Sequence, residues 1–255
     1  MENSKIKIVF LGSGDFGETI LKELIKKKYA PVWIDDFNKI KDKNPDLVIV
    51  ASYGRIIPEE VLKIPKYGCL NIHASLLPKY RGSSPVQTAI LNGDSKTGIT
   101  IILMDKKMDH GPIVASSEFQ ITDPKITYKE LLKELADLGA KLLVETIPKW
   151  TKGEIKPLVQ NESKASYVKI LKRQDGEIDW SKPPEEIERK IRAFYPWPGA
   201  FTFIRKKNKT LRIKIMKAEL SKEKKLIIKK LQPEGKKLMS AEEFQRGYPN
   251  SNLPF

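Results

Sequence analysis

Three side chains suggest chemistry before any fold is considered. Asn71 and His73 lie two residues apart in the apolar run Cys69–His73. If that run is a strand, both project from one face, roughly 7 Å apart along the chain. The carboxylate of Asp109 sits in the turn Met108-Asp-His-Gly-Pro112. An amide, an imidazole and a carboxylate that converge could carry out acyl transfer. The amide would donate to a developing oxyanion, the imidazole would do acid or oxyanion work, and the carboxylate would orient the imidazole or accept a proton. Each residue alone is equally consistent with a satisfied polar group.

The elements that must position them read as alternating strands and helices. Lys5–Leu11 is a buried strand by composition, and a helix from about Glu18 to Lys28 follows the turn Gly12-Ser-Gly-Asp-Phe-Gly17. Val32–Ile34 is a weak strand candidate, and Asp46–Ala51 and Cys69–His73 are stronger ones. Pro58-Glu-Glu60 and Ser83-Ser-Pro85 open helices. Gly98–Met104 and Ile113–Phe119 form a hairpin-like pair around Asp105–Pro112. Thr127-Tyr-Lys-Glu130 is a capping box for a long amphipathic helix that runs to about Trp150. This order predicts an α/β domain, its sheet mostly parallel, with helices on both faces. Ligands bind such sheets beyond the carboxyl ends of the strands, where Asn71 and His73 are expected.

Three stretches define the expected domain plan. Residues 1–155 form the α/β domain, 156–172 lack a period and read as a linker, and 173–255 form a smaller β-rich domain. In the last, a helix carries Ile187, Ile191 and Phe194, and strands are expected at Phe201–Ile204, Leu211–Lys217 and Leu226–Leu231.

Composition narrows the function. The 255 residues carry a formal net charge of +15, and the stretch 201–255 holds 15 basic against 5 acidic residues. A basic end fits a polyanion such as RNA, and it equally fits a solvated lysine-rich surface. One cysteine, Cys69, rules out an internal disulfide and fits a reducing compartment. With only His73 and His110 beside it, a zinc site is not expected. No apolar run approaches the ~20 residues of a membrane span, so a soluble cytoplasmic protein without membrane contact is expected. Gly12-x-Gly14-x-x-Gly17 fits a dinucleotide fingerprint, with Asp35 or Asp36 near the expected acid, or a tight turn that needs glycine for its backbone. The turn is the preferred reading.

The combination of Cys69-Leu-Asn-Ile-His-Ala-Ser-Leu-Leu-Pro-Lys-Tyr-Arg-Gly82, Pro85-Val-Gln87 and Met108-Asp-His-Gly-Pro112 resembles the signature of the folate-dependent formyltransferases. Within them, Ile178-Asp-Trp180, Ile191-Arg-Ala-Phe-Tyr-Pro-Trp-Pro-Gly199 and Leu231-Gln-Pro-Glu-Gly-Lys-Lys237 resemble the C-terminal region of the methionyl-tRNA formyltransferase family. The resemblance implies a Rossmann-like catalytic domain followed by a small OB-like β-rich domain that binds tRNA. It places Asn71, His73 and Asp109 at the catalytic positions. Ser75, Leu76, Leu77 and Pro78 match the loop that contacts the folate. Tyr53, Gly54, Arg55, Ile56 and Ile57 match a segment lining the pterin pocket.

The implied reaction moves a formyl group from 10-formyltetrahydrofolate to the α-amine of initiator methionyl-tRNA, without a metal, in a monomer. Alternatives are an aminosugar-nucleotide N-formyltransferase, a glycinamide ribonucleotide formyltransferase, or a tRNA-binding protein that has lost catalysis. Two departures from the family pattern stand out. The bridge from Lys28 to Asp46 is short, so a second strand and a tRNA-selecting loop are expected to be missing. The C-terminal barrel is expected to be trimmed to three strands. His110 occupies a variable position of its motif and is expected to be incidental.

Overall fold

The computed structural model describes residues 6–206, 209–249, 251 and 253. Lys5 of the first expected strand and Lys207 of the basic end lie outside the described residues. Two compact units are present. One comprises Met1–Val86, Ser95–Thr122 and Glu130–Lys169, and the other Gln87–Asp94, Asp123–Lys129 and Ile170–Phe255.

The first unit is built on a six-stranded sheet. Its strands are β1 (Ile8–Gly12), β2 (Val32–Ile34), β3 (Leu47–Ala51), β4 (Cys69–His73), β6 (Lys96–Leu103) and β7 (Ile113–Gln120), in the order β2-β1-β3-β4-β6-β7. The pairs β1–β2, β1–β3 and β3–β4 are parallel, whereas β4–β6 and β6–β7 are antiparallel. In β1 and β3 every residue is buried. That is why these strands read as unbroken apolar runs: both faces are covered. One face packs Val9, Leu11, Val48, Val50 and Cys69 against Ile40 of α2 (Ile40–Lys43) and Leu62 of α3 (Glu59–Leu62). On the other, Gly139 of α5 (Tyr128–Thr151) lies over Ile72 and Ile99.

The glycine turn leads from β1 into α1 (Gly14–Lys26). A Cβ at Gly12 would stand 2.5 Å from the Ala51 carbonyl oxygen, and one at Gly17 would stand 3.1 Å from the same atom. Both glycines are thus explained by close approach of the turn to β3, and the Trp33 indole donates to the Gly12 carbonyl at 3.0 Å.

Two expectations need correction. The second strand is not missing: β2 pairs with β1 from Val9↔Val32 to Leu11↔Ile34. It occupies Val32–Ile34, the stretch named above as a weak strand candidate. The stretch 156–172 is not a free linker, because up to Lys169 it belongs to the first unit. There β8 (Tyr167–Val168) pairs in parallel with β5 (Arg81–Gly82), and Leu158 exchanges both backbone hydrogen bonds with Ile113. Irregular backbone that makes specific contacts carries no period to read.

In the second unit, β9 (Ala200–Lys206), β10 (Lys209–Leu220), β11 (Leu226–Pro233) and β12 (Met239–Ser240) form an antiparallel sheet in the order β12-β11-β10-β9. The three expected strands are there, joined by the two-residue β12. One sheet face packs Ile213, Ile215, Ile228 and Leu231 against Ile187 and Ile191 of α6 (Pro184–Phe194) and Phe244 of α7 (Ala241–Gly247). On β9, Phe201, Phe203 and Arg205 stand opposite Lys214, Arg212 and Thr210 of β10. Period-two alternation puts these on the face away from that core. Among the described residues no helix is long and apolar enough to cross a membrane.

Candidate active site

The parallel strands β1, β3 and β4 all end at one edge of the sheet, where Gly12 is level with Ala51 and β4 closes on His73. Alternation along β4 sends Ile72 toward α5 and leaves Asn71 and His73 on the opposite face. The segment after β6 crosses that face and brings Asp109 to them. Asn71 Nδ2 donates to Asp109 Oδ1 at 3.2 Å, and His73 Nδ1 lies 3.6 Å from Asp109 Oδ2. The three residues proposed from sequence spacing therefore meet around one carboxylate.

The backbone contacts fix which atoms are available. His73 Nε2 is 2.9 Å from the carbonyl oxygen of Tyr80. A carbonyl only accepts, so Nε2 carries a proton and the ring presents Nδ1 to Asp109. The ring is 6 % exposed and is held without freedom to flip. Asp109 Oδ2 also accepts the Gly82 backbone N–H at 2.8 Å. Asp109 itself has φ 48°, a left-handed conformation that aspartate tolerates better than most residues.

Gly82 has φ 116°, and a Cβ there would come within 2.3 Å of the Val168 carbonyl oxygen. Only glycine can bring this N–H to the carboxylate while β5 pairs with β8.

The loop Ser75–Pro78 leaves β4 directly beside the site. Thr100 of β6, level with His73, donates its hydroxyl to the Ser75 carbonyl at 2.7 Å and accepts the Leu77 N–H at 3.0 Å. Ser75 Oγ donates to the Lys79 carbonyl at 2.6 Å. Leu77 is buried, whereas Leu76 and Pro78 are half-buried.

The segment Tyr53–Ile57 emerges from β3, one strand over. Tyr53 Oη accepts the Phe37 N–H at 3.0 Å, and the Arg55 guanidinium sits 4.9 Å from the Phe37 ring centroid. Gly54, Arg55 and Ile56 are exposed, with Ile56 at 73 %, while Ile57 is buried in the sheet core. An exposed isoleucine and a clamped aromatic pair at the carboxyl edge suit a flat apolar ligand.

Sequence reasoning missed the support beneath the site. Arg81 reads as part of an extended loop, yet it is fully buried. Its Nε and Nη2 donate to Gln160 Oε1 at 3.0 and 2.8 Å, and Nη2 and Nη1 reach the two oxygens of Glu162 at 2.6 and 3.0 Å. Nη1 also donates to the Tyr167 hydroxyl at 3.0 Å. The hydrogen bond from Arg81 holds the Glu162 carboxyl below the usual carboxylate range. No signal in the sequence ties Gln160 to Arg81, which is 79 residues away. His110 Nδ1 lies 2.5 Å from Asp105 Oδ2, and Nε2 lies 3.5 Å from Glu162 Oε1.

A cavity of about 720 Å³ is lined by Leu62, Tyr67, Gly68, Leu103, Asp105, His110 and Trp150, among others. Gly68 and Leu103 mark the amino end of β4, and neither Asn71, His73 nor Asp109 lines it. The chemistry therefore belongs to the carboxyl edge rather than to this cavity.

Comparisons with known proteins identify the family. Residues 35–147 match the family model described as formyl transferase, and residues 170–226 match formyl transferase, C-terminal domain. The methionyl-tRNA formyltransferase of Thermodesulfovibrio yellowstonii is 41 % identical over 234 residues, covering 84 % of this chain and 74 % of that protein. The methionyl-tRNA formyltransferase of a Geobacillus species is 36 % identical over 301 residues, covering 95 % and 94 %. Among solved structures, methionyl-tRNA formyltransferase from Clostridium thermocellum superposes with a TM-score of 0.68 at 23 % identity, over 92 % of this chain and all of that one. HypX from Aquifex aeolicus, in complex with tetrahydrofolic acid, gives a TM-score of 0.76 at 18 % identity, over 97 % of this chain and 48 % of that one.

Proposed function

The chain belongs to the methionyl-tRNA formyltransferase family, and from that premise we propose that it transfers a formyl group from 10-formyltetrahydrofolate to the α-amine of methionine esterified to initiator tRNA. The observation that carries this reading is the single carboxylate, Asp109, shared by the Asn71 amide and the Nδ1 edge of His73.

Each group has one task in this reaction. The amine nitrogen bonds to the formyl carbon, and the bond from that carbon to N10 of the folate breaks. Asn71 donates N–H to the formyl oxygen as it becomes anionic, and His73, when doubly protonated, would offer its Nδ1–H to the same oxygen. Asp109, held by the Gly82 N–H, takes the proton that the amine sheds and returns it to N10 of the departing tetrahydrofolate. The formyl group is already activated on N10, so what the protein must supply is placement and charge stabilisation.

The folate fits the sheet edge between Ser75–Pro78 and Tyr53–Ile57. Ser75, Leu76, Leu77 and Pro78 would hold the donor on the His73 side. Tyr53, Gly54, Arg55, Ile56 and Ile57 would receive the pterin, largely through exposed backbone groups. For the tRNA, Arg205, Arg212 and Lys214 beside Phe203, which is 47 % exposed, offer cations and a stacking surface on one sheet face. We infer a monomer working in the cytoplasm.

The test is a formylation assay with 10-formyltetrahydrofolate and three acceptors: charged initiator tRNA, charged elongator tRNA and an aminosugar nucleotide. Transfer to the charged initiator is expected to be fastest. Transfer confined to the aminosugar nucleotide would move the protein to that branch of the fold.

A further inference from the structure

We propose that Gln160 is a positioning residue for Asp109, and that the buried Arg81 exists to hold Gln160 in that role. The inference rests on the formyl-transfer reading above but concerns residues that take no part in its chemistry.

Every hydrogen-bonding group of the Gln160 side chain is taken. Gln160 is 5 % exposed. Its Nε2 donates to the Asp109 carbonyl and to the Gly111 carbonyl, each at 2.8 Å. Both amide protons are therefore committed to the backbone carbonyls on either side of His110, in the turn that carries Asp109. Its Oε1 accepts two bonds from Arg81. The amide cannot be reversed, because Arg81 offers only donors and the two carbonyls only accept.

Arg81 is equally committed. Its five N–H groups match five bonds: two to Gln160, two to Glu162 and one to Tyr167. Lysine could not reproduce such a planar fork.

Arg81 also sits between the two backbone groups that grip the site. The Tyr80 carbonyl fixes His73, and the Gly82 N–H fixes the Asp109 carboxylate. Asp109 is thereby held twice, through its side chain by the Gly82 N–H and through its main chain by Gln160, which Arg81 anchors. A residue at φ 48° in a turn keeps that conformation only if its surroundings impose it. Gln160 supplies that restraint from the stretch 156–169, which the sequence presents as mere connection.

The discriminating variant is Gln160→Glu. It keeps an acceptor for Arg81 while removing both donated N–H groups. The expected result is a fall in kcat of about 10- to 100-fold, because a displacement near 1 Å has that effect on positioned groups. KM for 10-formyltetrahydrofolate should stay within about twofold, since the Ser75–Pro78 loop is untouched. Arg81→Lys should show the same split.

Because the residue acts through Asp109, Gln160→Glu placed on Asp109→Asn should add nothing to the loss already caused by Asp109→Asn. A kcat equal to the parent's would overturn the proposal, and so would a double variant in which the two losses multiply. The Gly82 amide proton gives a readout independent of turnover. Its resonance should be shifted downfield by the Asp109 carboxylate in the parent and return upfield in Gln160→Glu; an unmoved resonance overturns the placement. If the parent formylates none of the three acceptors, the functional reading falls, and this resonance still decides the role of Gln160.

Discussion

Replacing Gly82 with alanine tests the site's geometry with one methyl group. The added Cβ would stand 2.3 Å from the Val168 carbonyl oxygen, where ordinary contact begins at 3.4 Å. The neighbour is backbone held in the β5–β8 pair, so about 1 Å of separation must come from moving Gly82 itself. That motion pulls its N–H off Asp109 Oδ2, now 2.8 Å away. Backbone strain at φ 116° costs ~1–3 kcal/mol, and a lost hydrogen bond to a charged group costs ~1.5–3 kcal/mol, with partial relief by relaxation. A net destabilisation of about 2–4 kcal/mol, and a melting point lower by roughly 5–15 °C, are expected. The same displacement should lower kcat by about 10- to 100-fold. Gly153→Ala is the control: Gly153 has φ 73° but nothing within 4 Å of an added Cβ, so it should lose ~1 kcal/mol and keep its kcat. Scanning calorimetry and steady-state formylation read both quantities. A Gly82→Ala protein with the parent's melting point and kcat would refute the reasoning.

Other outcomes follow from single residues. His73→Ala should lower turnover by about 10²–10⁴-fold while tRNA binding, read by filter retention, changes little. Burial pushes the Cys69 thiol up to about 12, so iodoacetamide at pH 8 should label it only after unfolding; rapid labelling of the folded protein would contradict its burial. The Glu162 carboxyl is held below its ordinary value by Arg81, so its stabilising contribution is complete above about pH 4.3 and fades as pH falls through the lowered value. Glu162→Gln should therefore flatten the acid limb of the melting-point profile and leave the profile near neutrality parallel to the parent's. Arg205→Ala should reduce the salt slope of tRNA binding by about 0.7–0.9 if Arg205 contacts one phosphate, and an unchanged slope would mark it as plain surface.

What the sequence made legible follows from what has a period or a motif. Alternation along Cys69–His73 was enough to place Asn71 and His73 on one face, and the turn at Asp109 lay between two strands of the same sheet. The capping box at Thr127 announced α5 because amphipathic spacing continues for six turns behind it. The two-residue β12 carries too few positions for a pattern, and the three-residue β2 showed only as a weak candidate. The support built from Arg81, Gln160 and Glu162 was invisible for a different reason. Arg81 lies 79 and 81 residues from Gln160 and Glu162, each looks like an ordinary polar surface residue, and only the folded contacts reveal that every Arg81 donor is matched. The glycines of the first turn were legible as a tight turn: Gly12 and Gly17 approach the Ala51 carbonyl too closely for an ordinary Cβ contact, and Gly14 has φ 65°.

In the proposed reaction Asp109 manages the amine's proton at the point where Asn71 and His73 meet. Single-turnover transfer of labelled formyl by Asp109→Asn, with saturating 10-formyltetrahydrofolate and charged initiator tRNA, tests it most directly. The predicted result is a rate reduced by about 10²–10⁴-fold with donor binding by fluorescence unchanged. A single-turnover rate equal to the parent's would contradict it.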